Sequence, residues 1–336
     1  PPMSNQQPIV GGVLGGTIMQ IGVVAPSTLA GLDDTPVLLA QEKKKTKAEI
    51  GPEGVVDRLV RAIEECCEEA DVKVKDLAAV GIGAPGAVNH RAGVVLEAVN
   101  LRWNQMPLAE ILEDRLGVPA VIDNDVNVAV WGENRFGAAR GAQHLLGVWV
   151  GTGVGGALVL DGTLYYGHAM TAGEIGHMHL FPHQAPGSRS LEHNTSRTAI
   201  VNRLVHLIKS NRSSVIPELV DGDLTRIKSG VVAEAYAKGD ALPHEVIHFA
   251  ADMLGAHIGG VVTLLSLEQI VLGGGLTEAM GRSFADLVEA AIRRVAFPDA
   301  CKKVGVEISS LDEKAGILGA AVLAHARVAG HLESQQ

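Results

Sequence analysis

The chain has little cysteine, no long uninterrupted apolar run and no surplus of basic charge, and each shortage closes off a class of protein. Its three cysteines, Cys66, Cys67 and Cys301, spread over 336 residues, are too few and too unevenly spaced for a disulfide framework. A reducing, cytoplasmic setting is the expectation. No stretch of apolar side chains reaches the roughly 18 residues that a membrane-crossing helix needs, so no membrane is expected as a partner. The opening Pro-Pro-Met-Ser-Asn-Gln-Gln lacks the basic-then-apolar order of a secretion signal and reads as a disordered leader. With 28 Lys and Arg against 38 Asp and Glu, the net charge is −10. Polyanions bind through Lys and Arg that neutralise their phosphates, so nucleic acid is not an expected partner.

What is present is apolar and rich in glycine. Hydrophobic side chains make up 47% of the chain, enough for two domains at about 150 residues each. The 40 glycines follow no fixed period and read as punctuation of strands, turns and phosphate loops. Strands are expected at Pro8–Leu14, Ile18–Val24, Leu77–Ile82, Ala120–Ile122, Leu145–Val150, Ala157–Leu160 and Gln269–Leu272. Helical spacing marks Pro52–Ala70, where Val55, Leu59, Ile63 and Cys66 or Cys67 form one stripe, which makes those cysteines core rather than chemistry. It also marks Leu108–Leu116, Val126–Phe136, Ser196–Ser210, Leu224–Ala237, Pro243–Leu267, Glu278–Arg294 and Lys314–Val328. The class is α/β. Gly11–Val24 and Gly147–Leu160 are both an apolar strand, a Gly/Thr turn and a second apolar strand; they read as a duplicated lobe or, more plainly, as two unrelated hairpins.

Several segments carry chemistry. The turns Gly15-Gly16-Thr17 and Gly151-Thr152-Gly153-Val154-Gly155-Gly156 can bring backbone N–H groups and a hydroxyl to phosphate oxygens, because no Cβ blocks the approach. Neither is a Walker loop and neither leads into a helix. Gly273-Gly274-Gly275 lies between a strand and a helix, where a nucleotide base or ribose can rest on bare backbone. In Asp123-Asn124-Asp125-Val126-Asn127 an Asp can take a hydroxyl proton, or the residues can be an ordinary helix cap. Glu174 and His177, with Glu192 beyond, suit sugar hydroxyls or form a solvated surface loop. The Lys43-Lys44-Lys45 run reads as a solvated loop.

Taken in order from about residue 8 to residue 328, these segments resemble the ROK family (repressor, open reading frame, kinase), closest to its glucokinase-like members. The resemblance rests on Gly83-Ala84-Pro85-Gly86-Ala87-Val88, Asn100-Leu101-Arg102-Trp103, Asn124-Asp125-Val126-Asn127-Val128-Ala129, Trp131-Gly132-Glu133, Gly151–Gly156, Ala172-Gly173-Glu174-Ile175-Gly176-His177 and Gly273-Gly274-Gly275. It implies a two-lobed actin-like ATPase fold of duplicated ribonuclease H-like domains with an interlobe cleft. The small lobe would span 1–122, with a C-terminal helix of about 315–336 packing back on it, and the large lobe 123–314. It implies a homodimeric, ATP- and magnesium-dependent hexose kinase, with glucose as acceptor ahead of N-acetylhexosamines, mannose and fructose. A sugar-binding regulator weakened in catalysis and a polyphosphate-using kinase are the alternatives. The DNA-binding helix-turn-helix of the family's repressors is not expected, since the first glycine turn comes so early.

The same resemblance makes Asp125 the base, gives the sugar to Asn100, Asn124, Glu174, His177 and Glu192, and gives the nucleotide to Gly15, Gly16, Thr17, Gly151, Thr152, Gly153, Gly155, Gly273, Gly274 and Gly275. Three departures stand out. Val13 replaces the family's Asp before the first turn and Ile18 its Lys after it. The family's zinc cysteines correspond to His183, Ala185 and Ser190, which with His177 leaves too few ligands, so no structural zinc is expected.

Overall fold

A computed structural model describes residues 7–29 and 35–330. All but the last residue of the expected leader, and the last six residues of the expected C-terminal helix, lie outside them. By their internal contacts, the described residues up to 141, with 166–172 and 313–330, form one compact unit, and 142–165 and 173–312 a second.

Unit 1 opens with β1 (Ile9–Leu14) and β2 (Ile18–Val24), then a single turn α1 (Pro26–Leu29), β3 (Leu38–Lys45) and α2 (Gly51–Glu69). There follow β4 (Val80–Ala84), the small sheet β5 (Ala87–Asn89), β6 (Val94–Ala98) and β7 (Trp103–Met106), then α3 (Leu108–Leu116), β8 (Ala120–Asn124) and α4 (Asp125–Phe136). The main sheet has the order β3-β2-β1-β4-β8; β1 to β3 are antiparallel neighbours, and β4 and β8 run parallel to β1.

Unit 2 repeats this plan. It begins with β9 (Leu145–Val150), β10 (Val154–Leu160) and β11 (Thr163–Tyr165), and continues with α5 (Leu191–Thr195), α6 (Arg197–Lys209), α7 (Ile216–Leu219), α8 (Ser229–Ala237) and α9 (Ala241–Leu265). It ends with β12 (Gln269–Gly273), α10 (Gly275–Met280), α11 (Arg282–Val295) and β13 (Gly305–Ile308), after which α12 (Lys314–Val328) returns to unit 1. The sheet order β11-β10-β9-β12-β13 is the same as in unit 1 strand for strand, again with three antiparallel strands and two parallel ones. The two glycine hairpins are therefore equivalent parts of duplicated sheets, and the fold is the actin-like ATPase fold.

The stripe on α2 is core, as its spacing predicts. Val55, Leu59, Ile63, Cys66 and Cys67 are almost fully buried, each large one contributing about 1.5–3 kcal/mol by burial, and burial pushes the Cys66 and Cys67 thiols up to about 11 and about 12. In unit 2, α9 is long and apolar enough by composition to cross a membrane, although it carries no unbroken apolar run. Half of that stretch is buried in the unit's own core, against α11 among others, as in a core helix.

Several expectations need correction. Lys43-Lys44-Lys45 is no loop: it ends edge strand β3, with Lys43 paired to Glu313 and Lys44 to Glu65. The single helix expected over Glu278–Arg294 is two, broken where Gly281 takes a φ of 57°. The helix expected from Leu224 starts only at Ser229, and the strand expected from Leu77 starts at Val80. Many glycines are not turns but close approaches. A Cβ on Gly11, Gly81 or Gly132 would run into the backbone carbonyl of Ile317, Ala320 or Ala315, so α12 can lie directly on β1, β4 and α4 only because those positions are bare. This packing also places residues 123–141, expected in the large lobe, within unit 1.

Candidate active site

Because β1, β4 and β8 run parallel, their C-terminal ends share one edge, the usual place for ligands in such sheets. The register sets Val13 beside Gly83, Gly83 beside Asp123 and Ala84 beside Asn124. Beyond β1 lies the turn Gly15-Gly16-Thr17, closed by a Gly15 N–H to Ile18 carbonyl bond of 2.9 Å. Thr46, fully buried at the end of β3, holds this turn from below: its hydroxyl donates to the Gly15 carbonyl at 2.6 Å and its N–H to the Thr17 carbonyl at 2.8 Å. Thr46 could not be singled out in the sequence once the lysines before it were read as a loop. Asn100 stands over the same turn, since a Cβ on Gly16 would lie 3.0 Å from the Asn100 Cβ.

Beyond β8, the two readings of the Asn-Asp segment both hold, on different residues. Asn124 is the cap of α4: its Oδ1 accepts from the N–H groups of Val126 at 2.9 Å and Asn127 at 3.1 Å, while its Nδ2 donates to the Gly86 carbonyl at 2.9 Å. Such a cap stabilises a helix by about 1 kcal/mol. Asp125 is the first residue of α4, with the Val126 N–H donating to its Oδ1 at 2.9 Å. A side chain on Gly83 would bring its Cβ to 3.1 Å from the Asp125 Cα, so the bare glycine lets the helix start against β4.

Under that first turn lies a buried carboxylate not singled out in the sequence. Asp123 is 3% exposed. Its Oδ1 accepts from the Asn124 N–H at 2.7 Å and the Asn127 Nδ2 at 2.9 Å, and its Oδ2 from the Tyr166 hydroxyl at 2.7 Å. The Tyr166 ring stacks on His90 at 3.7 Å, and Arg327 donates to the His90 carbonyl. Burial drives His90 down to about 4, helped by Arg327 and Arg91. Burial raises the Asp123 carboxyl above its usual range, against the lowering effect of its three hydrogen bonds.

A folded-state pKa above the unfolded value of about 3.9 means the native state holds the proton more tightly. This contribution to stability is complete below that value and is lost as pH rises through the raised one. We expect Asp123→Asn, whose amide oxygen can keep Asn124 and Asn127 and whose amide nitrogen can donate in turn to the Tyr166 hydroxyl oxygen, to melt at or above the parent temperature, by a margin that widens as pH rises from about 4. Asp123→Ala, which orphans Tyr166 and Asn127, should melt lower throughout. Thermal denaturation across pH checks both.

In unit 2 the hairpin Gly151–Gly156 is tied to α6. The Arg197 N–H donates to the Gly151 carbonyl at 3.0 Å, the Arg197 Nη2 to the Thr152 hydroxyl at 2.9 Å and the Thr198 hydroxyl to the Thr152 carbonyl at 2.7 Å. Glu192 supports the far side of the turn: the Val154 N–H donates to its Oε2 at 2.9 Å, and that carboxylate fills the space a Cβ on Gly153 would need. Gly155 continues into β10 opposite Trp149. The third glycine cluster meets the end of β9. A Cβ on Gly273 would lie 2.5 Å from the Trp149 ring, and one on Gly274, which has a φ of 86°, 2.7 Å from the Val150 carbonyl oxygen. The fold thus joins two of the glycine motifs at one edge.

Glu174 precedes and His177 ends a short 3-10 turn over Ile175–His177, with His177 Nε2 3.9 Å from Glu174 Oε2. Burial raises the Glu174 carboxyl, His177 opposes this and Glu192 adds to it. The following segment is held by its own hydrogen bonds. His179 bridges to Ser190, the Leu180 N–H donates to the Arg189 carbonyl at 2.8 Å, and the Ser190 hydroxyl meets His193 Nδ1 at 2.8 Å. Among the described residues, no three His, Cys, Asp or Glu side chains are grouped to hold a metal ion.

Comparison with known proteins now bears on this geometry. A profile of the ROK family matches residues 27–327. The glucokinase of Streptomyces coelicolor is 31% identical over 323 residues, covering 94% of this chain and 96% of the relative. A crystal structure of a ROK family glucokinase from Streptomyces griseus, in complex with glucose and AMPPNP, superposes with a TM-score of 0.81 at 30% identity, covering 95% of this chain and 99% of the other. A ROK family transcriptional regulator, homologous to the Escherichia coli MLC protein, superposes with a TM-score of 0.82 at 25% identity, covering 97% of this chain and 80% of the other.

Proposed function

We propose that this chain, which belongs to the ROK family and is a sugar kinase of its glucokinase-like kind, transfers the γ-phosphoryl group of ATP to the C6 hydroxyl of glucose. The observation that carries the reading is the edge of unit 1: a carboxylate at the start of α4, Asp125, on the same sheet edge as a glycine turn roofed by Asn100. Phosphoryl transfer asks for positioning and charge neutralisation more than covalent help, and this edge supplies a fixed base and bare backbone.

Asp125 takes the proton of the attacking hydroxyl. The helix N-terminus beneath it favours its negative charge, and the Val126 N–H fixes one oxygen. Asn100, Glu174, His177 and Glu192 hold the sugar, with Asn124 contributing the N–H that its cap and its Gly86 bond leave over. Carboxylates and an imidazole suit hydroxyls, which donate as well as accept. Gly15–Thr17, Gly151–Gly155 and Gly273–Gly275 receive the nucleotide. Magnesium neutralises phosphate charge when bound, and it commonly takes only one or two carboxylates, with water and phosphates completing its shell. The Val13 side chain offers no oxygen and packs against Gly316 of α12. Asp125 is then the carboxylate of this edge that can meet the ion's water. The finer readings that accompany this function are a cytoplasmic homodimer with no nucleic-acid or membrane partner.

The loss of charge at Val13 and Ile18 favours one alternative, a sugar-binding regulator weak in catalysis. The two are separated by following ADP formation with magnesium-ATP and glucose, mannose, N-acetylglucosamine, N-acetylmannosamine or fructose. We expect turnover, fastest on glucose. Glucose that raises the melting temperature without turnover on any sugar would overturn the kinase reading in favour of the regulator.

A further inference from the structure

We propose that Arg197 is a donor-binding residue, its guanidinium contributing the positive charge that the glycine loops themselves do not carry. The inference rests on the reading of Gly151–Gly156 as a donor-phosphate loop, and it assigns the residue that gives that loop its affinity for a nucleoside triphosphate.

Neither glycine turn contains a cation: Gly15-Gly16-Thr17 runs into Ile18, and Gly151–Gly156 holds no basic residue. A polyphosphate chain left with neutral donors alone would keep most of its charge unanswered. Arg197 changes this in unit 2. It is the first residue of α6, and its own N–H bond to the Gly151 carbonyl fixes its Cα against the loop. Its Nη2 lies 2.9 Å from the Thr152 hydroxyl oxygen. That contact spends one of the guanidinium's five N–H groups on a neutral acceptor. Among the described residues Arg197, like Arg58, Arg189 and Arg203, takes part in no ion pair, and what sets it apart is its double attachment to the loop through Gly151 and Thr152.

The hydroxyl in between fits a relay. Thr152 Oγ1 accepts from Arg197 and can donate its own proton outward. A phosphate oxygen accepting that proton would sit within reach of the remaining guanidinium N–H groups, in the forked arrangement by which arginine binds phosphate. The sequence signal was slight, a basic residue directly after the Ser196 cap, and only the fold brings it to a turn 45 residues earlier.

The test is calorimetric and does not need turnover. Magnesium-AMPPNP is titrated into the parent, Arg197→Gln, Arg197→Lys and Gly151→Ala, and glucose into each as well. Gly151→Ala tests the loop by itself: a Cβ there meets nothing within 4 Å, so it obstructs only a bound ligand. We expect Arg197→Gln to weaken AMPPNP about tenfold to a hundredfold, the loss of one charge-assisted contact. Arg197→Lys should recover part of this, the salt dependence of binding should flatten in Arg197→Gln, and glucose affinity should not change. If Gly151→Ala weakens AMPPNP and Arg197→Gln does not, the assignment of Arg197 fails while the loop reading stands. If neither variant weakens it, the loop reading fails and takes the assignment with it. If Arg197→Gln weakens glucose as much as AMPPNP and Arg197→Lys rescues nothing, the residue is structural and the proposal is overturned.

Discussion

Asp125→Asn is expected to reduce kcat by about 10²–10⁴, the range over which a positioned base contributes, while leaving the KM for glucose within a few-fold. That is roughly 3–5 kcal/mol of lost transition-state stabilisation. The split between kcat and KM follows from the geometry. An Asn at this position keeps an oxygen for the Val126 N–H and can still hydrogen-bond a sugar hydroxyl, but it cannot take the proton. Stability should move little, because the α4 cap is carried by Asn124 and not by Asp125. The one expected loss is the carboxylate's interaction with the helix N-terminus, about 0.3–1 kcal/mol. A coupled ADP assay with glucose and ATP varied separately, beside a melting curve, reads all three quantities. A variant that turns over at the parent rate would remove Asp125 from the mechanism. One that melts far below the parent would show that the residue is needed for the fold.

The roles proposed around Asp125 differ in how much of them the sequence discloses. Motifs made of contiguous residues survive the passage to three dimensions: Gly15–Thr17 is a hairpin turn, Gly151–Gly156 is a hairpin turn followed by the first residues of β10, and Gly273–Gly275 joins a strand to a helix. The Asn-Asp pair is legible as a site or as a cap, and only the coordinates show the cap falling to Asn124 and the helix start to Asp125. Partnerships across long separations are invisible beforehand. Tyr166 reaches Asp123 over 43 residues and Thr46 reaches Gly15 over 31, and no periodicity in either segment announces them. Nothing in the run Lys43-Lys44-Lys45 signals that it pairs with β2 and delivers Thr46 beneath a glycine turn.

The fold follows the same division. Helices α3 and α12 have the bounds expected of them: in α3 one apolar stripe of Leu108, Leu112 and Leu116 marks the helix, and α12 is apolar on nearly every side, as a helix buried all round must be. The meander β5, β6 and β7 escapes notice because its strands have only three to five residues, too few for alternation to show. Gly281 looks no different from a glycine tolerated inside a helix until its φ of 57° is known. The general misreading concerns glycine itself. A bare position demanded by a turn and one demanded by a neighbouring backbone give the same letter, and only contacts tell them apart.

That ambiguity gives the second large expected effect. Gly319 in α12 and Gly260 in α9 are both helical, and replacing either by Ala should gain about 0.5–1 kcal/mol if only backbone freedom mattered. At Gly260 nothing lies within 4 Å of the added Cβ, so Gly260→Ala should raise the melting temperature by a few degrees at most. At Gly319 the added Cβ would come 2.7 Å from the Gly132 nitrogen and closer still to the Val128 carbonyl oxygen, both in α4. These are backbone atoms, with no rotamer to change, so relief requires α12 to lift from α4. Since α12 also lies on Gly11 and Gly81 of the sheet, lifting it would uncover Ile317, Leu318 and Ala321, all buried. We expect Gly319→Ala to cost more than about 3 kcal/mol, a large part of a net stability of about 5–15 kcal/mol, and Gly319→Val to leave no soluble folded protein. Urea titrations of the two Ala variants beside the parent decide the matter. A Gly319→Ala protein as stable as Gly260→Ala would mean that α4 and α12 are not in backbone contact.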